Sequence, residues 1–198
     1  MANSKEDLIL KASLKLFSEN GYDATRIPQI VKEAGIGAGT VYRYFQSKKD
    51  LLNKLFQKSM NQMLNSLKNN YPKNSTIKCQ FNFIFTRGEE IIINNPELIY
   101  FIAKNEFDKE LNRESHKSFM KLFDFLRKFI LKGQKQGIFR KVDPSVLSAL
   151  LYGGLTFIID FIIHKENGNF LEKYNKENLH KIYTELQQTC WDAFVNDN

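Results

Sequence analysis

A chain of 198 residues that is 42% hydrophobic and 26% charged is long enough to bury one large core or two unequal ones, and its composition excludes a disordered or collagen-like protein. The formal charge of +7 admits a polyanionic partner, while two cysteines, Cys79 and Cys190, exclude a disulfide framework and a four-thiolate zinc site. The opening MANSKEDLIL carries acids and no apolar run, so no secretory signal is read there and the expected compartment is the reducing cytoplasm.

From Leu8 to Phe17, the residues Ile9, Ala12, Leu16 and Phe17 share one helical face, and Asn20-Gly21 ends that helix with residues that tolerate a left-handed cap. A second helix is expected over Pro28 to Ala34, with Ile27, Ile30, Val31 and Ala34 inward. Pro28 fits its first turn, where no intrahelical amide bond is lost. Gly35 breaks the chain, Ile36 returns to the core, and a short third helix runs from Ala38 to Phe45. At about 100° per residue, placing Val41 inward puts Tyr44 and Phe45 on its side, Gly39 and Arg43 opposite, and Thr40 and Tyr42 on the flanks. The outer side then offers a glycine that allows close approach, hydroxyls that donate to phosphate oxygens, and a guanidinium that grips a guanine edge or a phosphate. Helix, glycine-containing turn and exposed short helix form the pattern of a helix-turn-helix.

The remainder is longer and more apolar. A helix from Asp50 to Asn69 is closed by Asn70-Tyr71-Pro72. Over Ser75 to Ile93, the alternating Phe81, Phe83 and Phe85 suggest a strand, but Ile77, Phe81, Ile84, Phe85, Gly88, Ile91 and Ile92 keep a helical period far beyond strand length. Pro96 restarts a short helix to Phe107, and Phe119, Leu122, Phe123, Leu126 and Ile130 mark a long one ending near Gly137. Asp143-Pro144 opens an apolar helix to Ile163, a loop is expected over His164 to Tyr174, and Asn175 caps a last helix carrying Leu179, Ile182, Tyr183, Leu186, Cys190 and Ala193. The stretch from Val146 to Ile163 approaches the length of a membrane span, but Gly153-Gly154 interrupts it and Asp160 sits near its end, so it is read as a helix buried among others. The fold class is all-α.

No catalytic constellation is present. His116, His164 and His180 lie in no metal-ligand spacing, and no nucleophile elbow, Walker or dinucleotide glycine pattern occurs. The run Gly35-Ile36-Gly37-Ala38-Gly39 follows a helix and lacks the Gly-Lys-Ser/Thr ending of a phosphate loop. No catalytic residue, metal or cofactor is expected.

In fixed register the chain supplies Gly21-Tyr22, Thr25, Ile27, Ile30, Ala34-Gly35-Ile36, Gly39-Thr40, Tyr42, Tyr44-Phe45, Ser47-Lys48 and Leu51. At these positions it resembles the tetracycline-repressor-like (TetR/AcrR) transcriptional regulators, whose usual pattern is a Gly-aromatic turn, a Thr, then I-x-x-I-A-x-x-A-G-V-S-x-G-T-x-Y-x-Y-F-x-S-K-x-x-L. The resemblance implies phosphate contacts from Thr25, Thr40, Tyr42, Tyr44 and Lys48, and places Arg26, Ala38, Gly39, Tyr42 and Arg43 near base edges. Three positions depart from the pattern. Arg26 stands where a small hydroxyl residue is usual, Pro28 where a polar or basic side chain often reaches DNA, and Gly37 where a serine normally caps the recognition helix. Residues 1–60 hold ten Lys and Arg against six Asp and Glu, a basic excess denser than in the rest of the chain.

The expected domains are a helix-turn-helix DNA-binding domain over 1–48 and an effector-sensing, dimerising helical domain over 49–198. Fourteen of 17 phenylalanines follow residue 60. Phe81, Phe85, Tyr100, Phe101, Phe119, Phe123 and Phe157 either line an apolar effector pocket or form an ordinary core, and Asp160 could recognise a cationic ligand, pair across a subunit boundary or sit at a solvated edge. The last two helices, about 144–163 and 176–195, present Leu150, Gly153, Gly154, Phe157, Tyr183, Leu186 and Cys190 as a dimer surface, since paired glycines permit close helix approach. A homodimer would set two recognition helices roughly 34–36 Å apart and read a pseudo-palindromic double-stranded operator. The expected protein is a repressor released by a small, largely apolar effector. The alternatives are a regulator of the same fold answering to a protein partner, with no ligand pocket, and an all-helical enzyme or carrier.

Overall fold

The structure, a computed structural model, describes residues 4–162 and 176–196. The loop expected over His164 to Tyr174 lies outside the described residues. Nine α-helices form within them: α1 (Lys5–Asn20), α2 (Ile27–Ala34), α3 (Ala38–Tyr44), α4 (Lys48–Lys68), α5 (Ile77–Asn94), α6 (Pro96–Asn105), α7 (Arg113–Lys135), α8 (Pro144–Ile162) and α9 (Lys176–Phe194). No strand occurs among the described residues beyond a single antiparallel bridge between Phe139 and Val195. The all-α expectation holds, and the alternating phenylalanines of α5 are helical. Thr76, one residue later than the start expected from the period, caps α5 by accepting the Cys79 amide on Oγ1 at 3.2 Å.

The chain divides into two compact units. The first unit takes the chain up to Gln62 together with Glu97–Phe119. Its core is Ile9, Leu16 and Phe17 of α1, Ile30 of α2, Val41 and Phe45, then Leu51, Leu52, Leu55 and Phe56 of α4. Into this core α6 delivers Phe101, fully buried, whose ring lies 6.2 Å from Phe17 and 6.3 Å from Phe56. Burying such a ring contributes about 2–3 kcal/mol, which outweighs chain order in deciding where α6 belongs. Asn53, almost fully buried, holds the same unit together through polar bonds. Its Nδ2 donates to the Lys49 and Glu110 carbonyls, each at 2.9 Å, and its Oδ1 accepts from the Asn112 amide at 2.7 Å and the Ser115 hydroxyl at 2.6 Å. Every polar atom of its amide group is thereby used.

The second unit comprises Met63–Pro96 and the chain from Met120 onward. Its centre is aromatic. Phe81 lies 4.8 Å from Phe85, 5.1 Å from Trp191 and 5.7 Å from Phe194, and Phe139 lies 5.4 Å from both Phe129 and Phe194. Around the Phe139–Val195 bridge, Arg140 donates its amide to the Phe194 carbonyl at 2.8 Å and Asn196 donates to Ile138 at 3.1 Å. Phe139 packs directly against the backbone of Gly133, where even a Cβ would fall 2.2 Å from its ring. No helix among the described residues is long and apolar enough to cross a membrane.

Tyr71, at the start of this unit, donates its hydroxyl to Gln80 Oε1 at 2.9 Å, and burial pushes its phenol up to about 12. The folded value exceeds the unfolded one near 10, so the stability tied to the protonated phenol is whole below about pH 10 and is lost as pH rises through about 12. Tyr71→Phe is expected to cost about 1 kcal/mol at neutral pH and to flatten the fall of Tm across that alkaline window. Thermal melts of both proteins from about pH 8 to about pH 12 would check this, and parallel curves would mean that Tyr71 titrates normally.

Candidate nucleic-acid interface

The geometry of α2 and α3 follows from one backbone requirement. Gly35 adopts φ +64° and ψ +35°, a left-handed cap that side chains disfavour, and lets the Gly35 and Ile36 amides donate back to the Lys32 and Val31 carbonyls at 3.2 and 3.3 Å. The chain then reverses within two residues and enters α3. Gln29 Oε1 accepts the Arg26 amide at 2.6 Å, satisfying a donor at the start of α2. Gly37 precedes α3 and supplies no side-chain cap, as its lack of a hydroxyl dictates.

On α3 the inner side is Val41, with Phe45 just beyond; both are fully buried. Ala38, Gly39, Tyr42 and Arg43 are exposed, Tyr42 by 57%, while Thr40 and Tyr44 are half-buried. The Arg43 guanidinium lies 5.2 Å from the Tyr44 ring centre. Neither Arg26, Lys32 nor Arg43 has a carboxylate partner among the described residues, whereas Lys15, Lys49, Lys54 and Lys58 are paired with Glu33, Glu110, Asp50 and Asp7. The cations left uncompensated in this unit therefore include three on the helix-turn-helix, where a polyanion would find them.

Two residues expected at phosphates are placed differently. Thr25 is fully buried, with its hydroxyl 2.7 Å from the Gly21 carbonyl and 3.1 Å from that of Leu16, so it locks the end of α1 to the entry of α2. Lys48, half-buried at the start of α4, points its ammonium at the carbonyls of Tyr22, Thr25 and Asp23 at 2.8, 3.0 and 3.3 Å, and sits 4.2 Å from the Tyr22 ring centre. An ammonium has three N–H donors, and all three are engaged. Lys54 does a related task, donating to the Tyr44 carbonyl at 2.9 Å just past the recognition helix. Lys54 lies outside the motif, and a bond to a main-chain carbonyl leaves no side-chain pattern in the sequence.

Lys48→Ala is accordingly expected to destabilise the fold by about 1.5 kcal/mol, a drop of roughly 3–6 °C in Tm. DNA binding should weaken with little change in its salt dependence, because a lost phosphate contact alone lowers the slope by about one unit. Melting curves and a salt titration of DNA affinity together decide it: an unchanged Tm with a shallower slope would put Lys48 on the phosphate backbone.

The residues expected to line an effector pocket fall into both units. Tyr100, Phe101 and Phe119 belong to the first, Phe81, Phe85 and Phe123 to the second. Phe81 and Phe85 are sealed inside the aromatic cluster, and the Phe123 ring lies tilted against Tyr152 of α8, with centres 5.0 Å apart. The side chains of Phe157 and Asp160 lie outside the described residues. Of the expected dimer surface, Leu150 and Gly153 are exposed on α8, and Val146, one turn before Leu150, extends that stripe with 51% exposure. Tyr183 and Cys190 are interior, and burial pushes both their pKa values up, helped at Tyr183 by the Glu89 carboxylate. Gly154 packs under Leu186 within the chain, since a Cβ there would stand 3.0 Å from Leu186 Cδ1. Gly154 and Leu186 thus meet between α8 and α9.

Comparison with known proteins bears on the whole chain. The family model of bacterial regulatory proteins of the tetR family matches residues 9–55, and that of the tetracyclin repressor-like C-terminal domain matches residues 56–196. A fatty acid metabolism regulator protein of Bacillus subtilis is 22% identical over 148 residues, covering 73% of this chain and 76% of that protein. The negative transcriptional regulator IcaR of the biofilm operon icaADBC in Staphylococcus epidermidis is 27% identical over 129 residues, covering 60% and 69%. Among solved structures, the transcriptional regulator FadR from Bacillus subtilis, in complex with stearoyl-CoA, aligns over 94% of this chain and 97% of its own with a TM-score of 0.80 at 19% identity. A TetR-family transcriptional regulator from Haemophilus influenzae aligns over 97% of both chains with a TM-score of 0.73 at 17% identity. At such identities the structures show a shared fold.

Proposed function

Since the chain belongs to the tetR family of bacterial regulatory proteins, and is therefore a DNA-binding transcriptional regulator and not an enzyme, we propose that it is a homodimeric repressor that leaves a pseudo-palindromic operator when a small effector binds. The observation that carries the reading is α3 itself, a short helix with Val41 seated inward and Gly39, Tyr42 and Arg43 bare, beside the uncompensated charges of Arg26 and Lys32. Base reading falls to Arg43, Tyr42, Arg26, Ala38 and Gly39, and backbone contact to Thr40 and Tyr44 with the same exposed arginines. Thr25 and Lys48 act one step back, by holding α2 and α3 at their angle. Dimerisation uses the apolar stripe Val146, Leu150 and Gly153 on α8, and sets the two α3 helices roughly one DNA turn apart.

Release follows only if the effector binds the DNA-incompetent conformation more tightly than the DNA-bound one. An effector with a long apolar part is supported by the fatty acid regulator and by the relative bound to stearoyl-CoA. A second reading, control by a protein partner, draws on the closed packing of Phe81 and Phe85, which leaves those two rings no open space.

Selection of bound sequences from a random duplex pool, at two salt concentrations, tests the operator reading. Enrichment of a pseudo-palindrome whose affinity falls about 10³-fold or more between 50 and 200 mM salt is the expected result. Binding without any enriched sequence would overturn it.

A further inference from the structure

The second unit contains a cleft that neither operator recognition nor the expected apolar pocket uses. It has a volume of about 430 Å³ and is lined by Lys68, Tyr71, Lys73, Gln80, Phe125, Lys128, Phe129 and Lys132. That volume lies within the range of small-molecule sites. Its composition is lopsided: four lysines, three aromatic rings, one amide and no carboxylate.

Exposure sorts the lining into a floor and a rim. Phe129 and Gln80 are buried and Phe125 and Tyr71 half-buried, while Lys68, Lys73 and Lys128 are exposed. Phe125, Lys128, Phe129 and Lys132 recur on one face of α7, three and four residues apart, so one helix supplies both ring and charge. The floor's polar groups are already satisfied. Gln80 Oε1 accepts from Tyr71, and its Nε2 donates to the Ser75 carbonyl at 2.7 Å and the Lys73 carbonyl at 3.3 Å. Lys132 gives one N–H to the Lys73 carbonyl at 2.7 Å and keeps two. None of the four ammonium groups pairs with a carboxylate among the described residues, and that of Lys68 stands 5.9 Å from the Phe125 ring centre.

Four uncompensated cations around one concavity repel one another and concentrate anions, and field lines focus into such a cleft. The aromatic floor meanwhile gains nothing from a small hydrated ion, because its energy comes from covering apolar surface. The geometry points to a binding site for an organic anion with a flat apolar body, an aryl carboxylate or aryl phosphate, whose ring covers Phe125 and Phe129 and whose acid group is held by Lys68, Lys73, Lys128 and Lys132. Phe129, the ring in the floor, backs onto Phe81 at 6.4 Å, so the cleft lies on the outer side of the aromatic cluster; operator binding stands or falls independently of it.

The test is calorimetric titration of the full chain with 2-naphthyl phosphate, neutral 2-naphthylmethanol and inorganic phosphate at about 50 mM salt. The aryl phosphate should saturate a single site per chain with a Kd below about 1 mM, and each half-molecule should bind about tenfold more weakly or worse. The Lys68 and Lys128 side chains make no hydrogen bond among the described residues, so the double variant K68Q/K128Q should keep its Tm and its DNA affinity while losing about tenfold in aryl phosphate affinity. The double variant K68R/K128R, which restores both charges, should recover that affinity. Equal binding of the neutral alcohol, no loss in the glutamine variant, or no saturation up to about 10 mM would each overturn the assignment.

Discussion

Gly133→Ala should destabilise the protein by about 2–3 kcal/mol and lower Tm by roughly 5–10 °C. The sign is not obvious, because alanine gains about 1 kcal/mol over glycine in a helix interior and Gly133 lies inside α7. Space decides against it. The added methyl would lie 2.2, 2.5 and 2.8 Å from three carbons of the Phe139 ring, where contact between carbons is comfortable at about 3.5–4.0 Å. The ring cannot retreat, being fully buried between Phe129, Trp191 and Phe194. Gly88→Ala provides the contrast. A Cβ at Gly88, within α5, meets nothing within 4 Å, so that change should raise stability by about 0.5–1 kcal/mol. Thermal melts of the two variants should move in opposite directions. Two upward shifts would mean that Phe139 does not sit over Gly133.

Arg43→Ala carries the largest expected effect on function. Its guanidinium is exposed, makes no ion pair among the described residues and lies 5.2 Å from the Tyr44 ring centre, so its removal should leave Tm unchanged within error. A bidentate grip on a guanine discriminates by about 1–3 kcal/mol, so affinity for the selected operator should fall about 10- to 100-fold. Preference at one base pair in each half-site should relax with it. Arg26→Ala and Arg43→Ala can be ranked by the same binding assay, run on the operator and on a scrambled duplex. Equal loss on both duplexes would move Arg43 from the bases to the phosphates. No loss on either would remove α3 from the groove.

The fold was legible because its strongest signal is periodic. Apolar residues at helical spacing found the nine helices of the described residues, including α5, where three alternating phenylalanines argued for a strand and length argued better. The same period placed Val41 toward the core and Gly39 and Arg43 away from it. What the period cannot report is which distant element a helix meets. Lys48 reaches back 26 residues to the Tyr22 carbonyl, and Thr25 reaches nine to Leu16. The resemblance implies phosphate contacts for both; in the structure the Thr25 hydroxyl and the Lys48 ammonium bond to main-chain carbonyls. Phe101 likewise sits on a helix that reads as part of the larger domain, and only its packing on Phe17 and Phe56 assigns it to the smaller one. The basic cleft was invisible for a further reason. Its lysines come from α4, a loop and α7, and singly each resembles an ordinary solvated side chain.

Synthesis from the N-terminus meets both units with their cores unfinished. The helix-turn-helix emerges early, yet Phe17 and Phe56 wait for Phe101, and Asn53 waits for Glu110, Asn112 and Ser115. The second unit waits longer. Its aromatic centre and the Phe139–Val195 bridge both need Phe194 and Val195, more than 50 residues after Phe139 in the chain. On a ribosome the nascent chain therefore holds open apolar faces for much of its elongation, which is where chaperones act and where truncated products aggregate. A chain that stops short of Phe194 would carry the whole helix-turn-helix yet lack the residues that close the aromatic centre of the second unit.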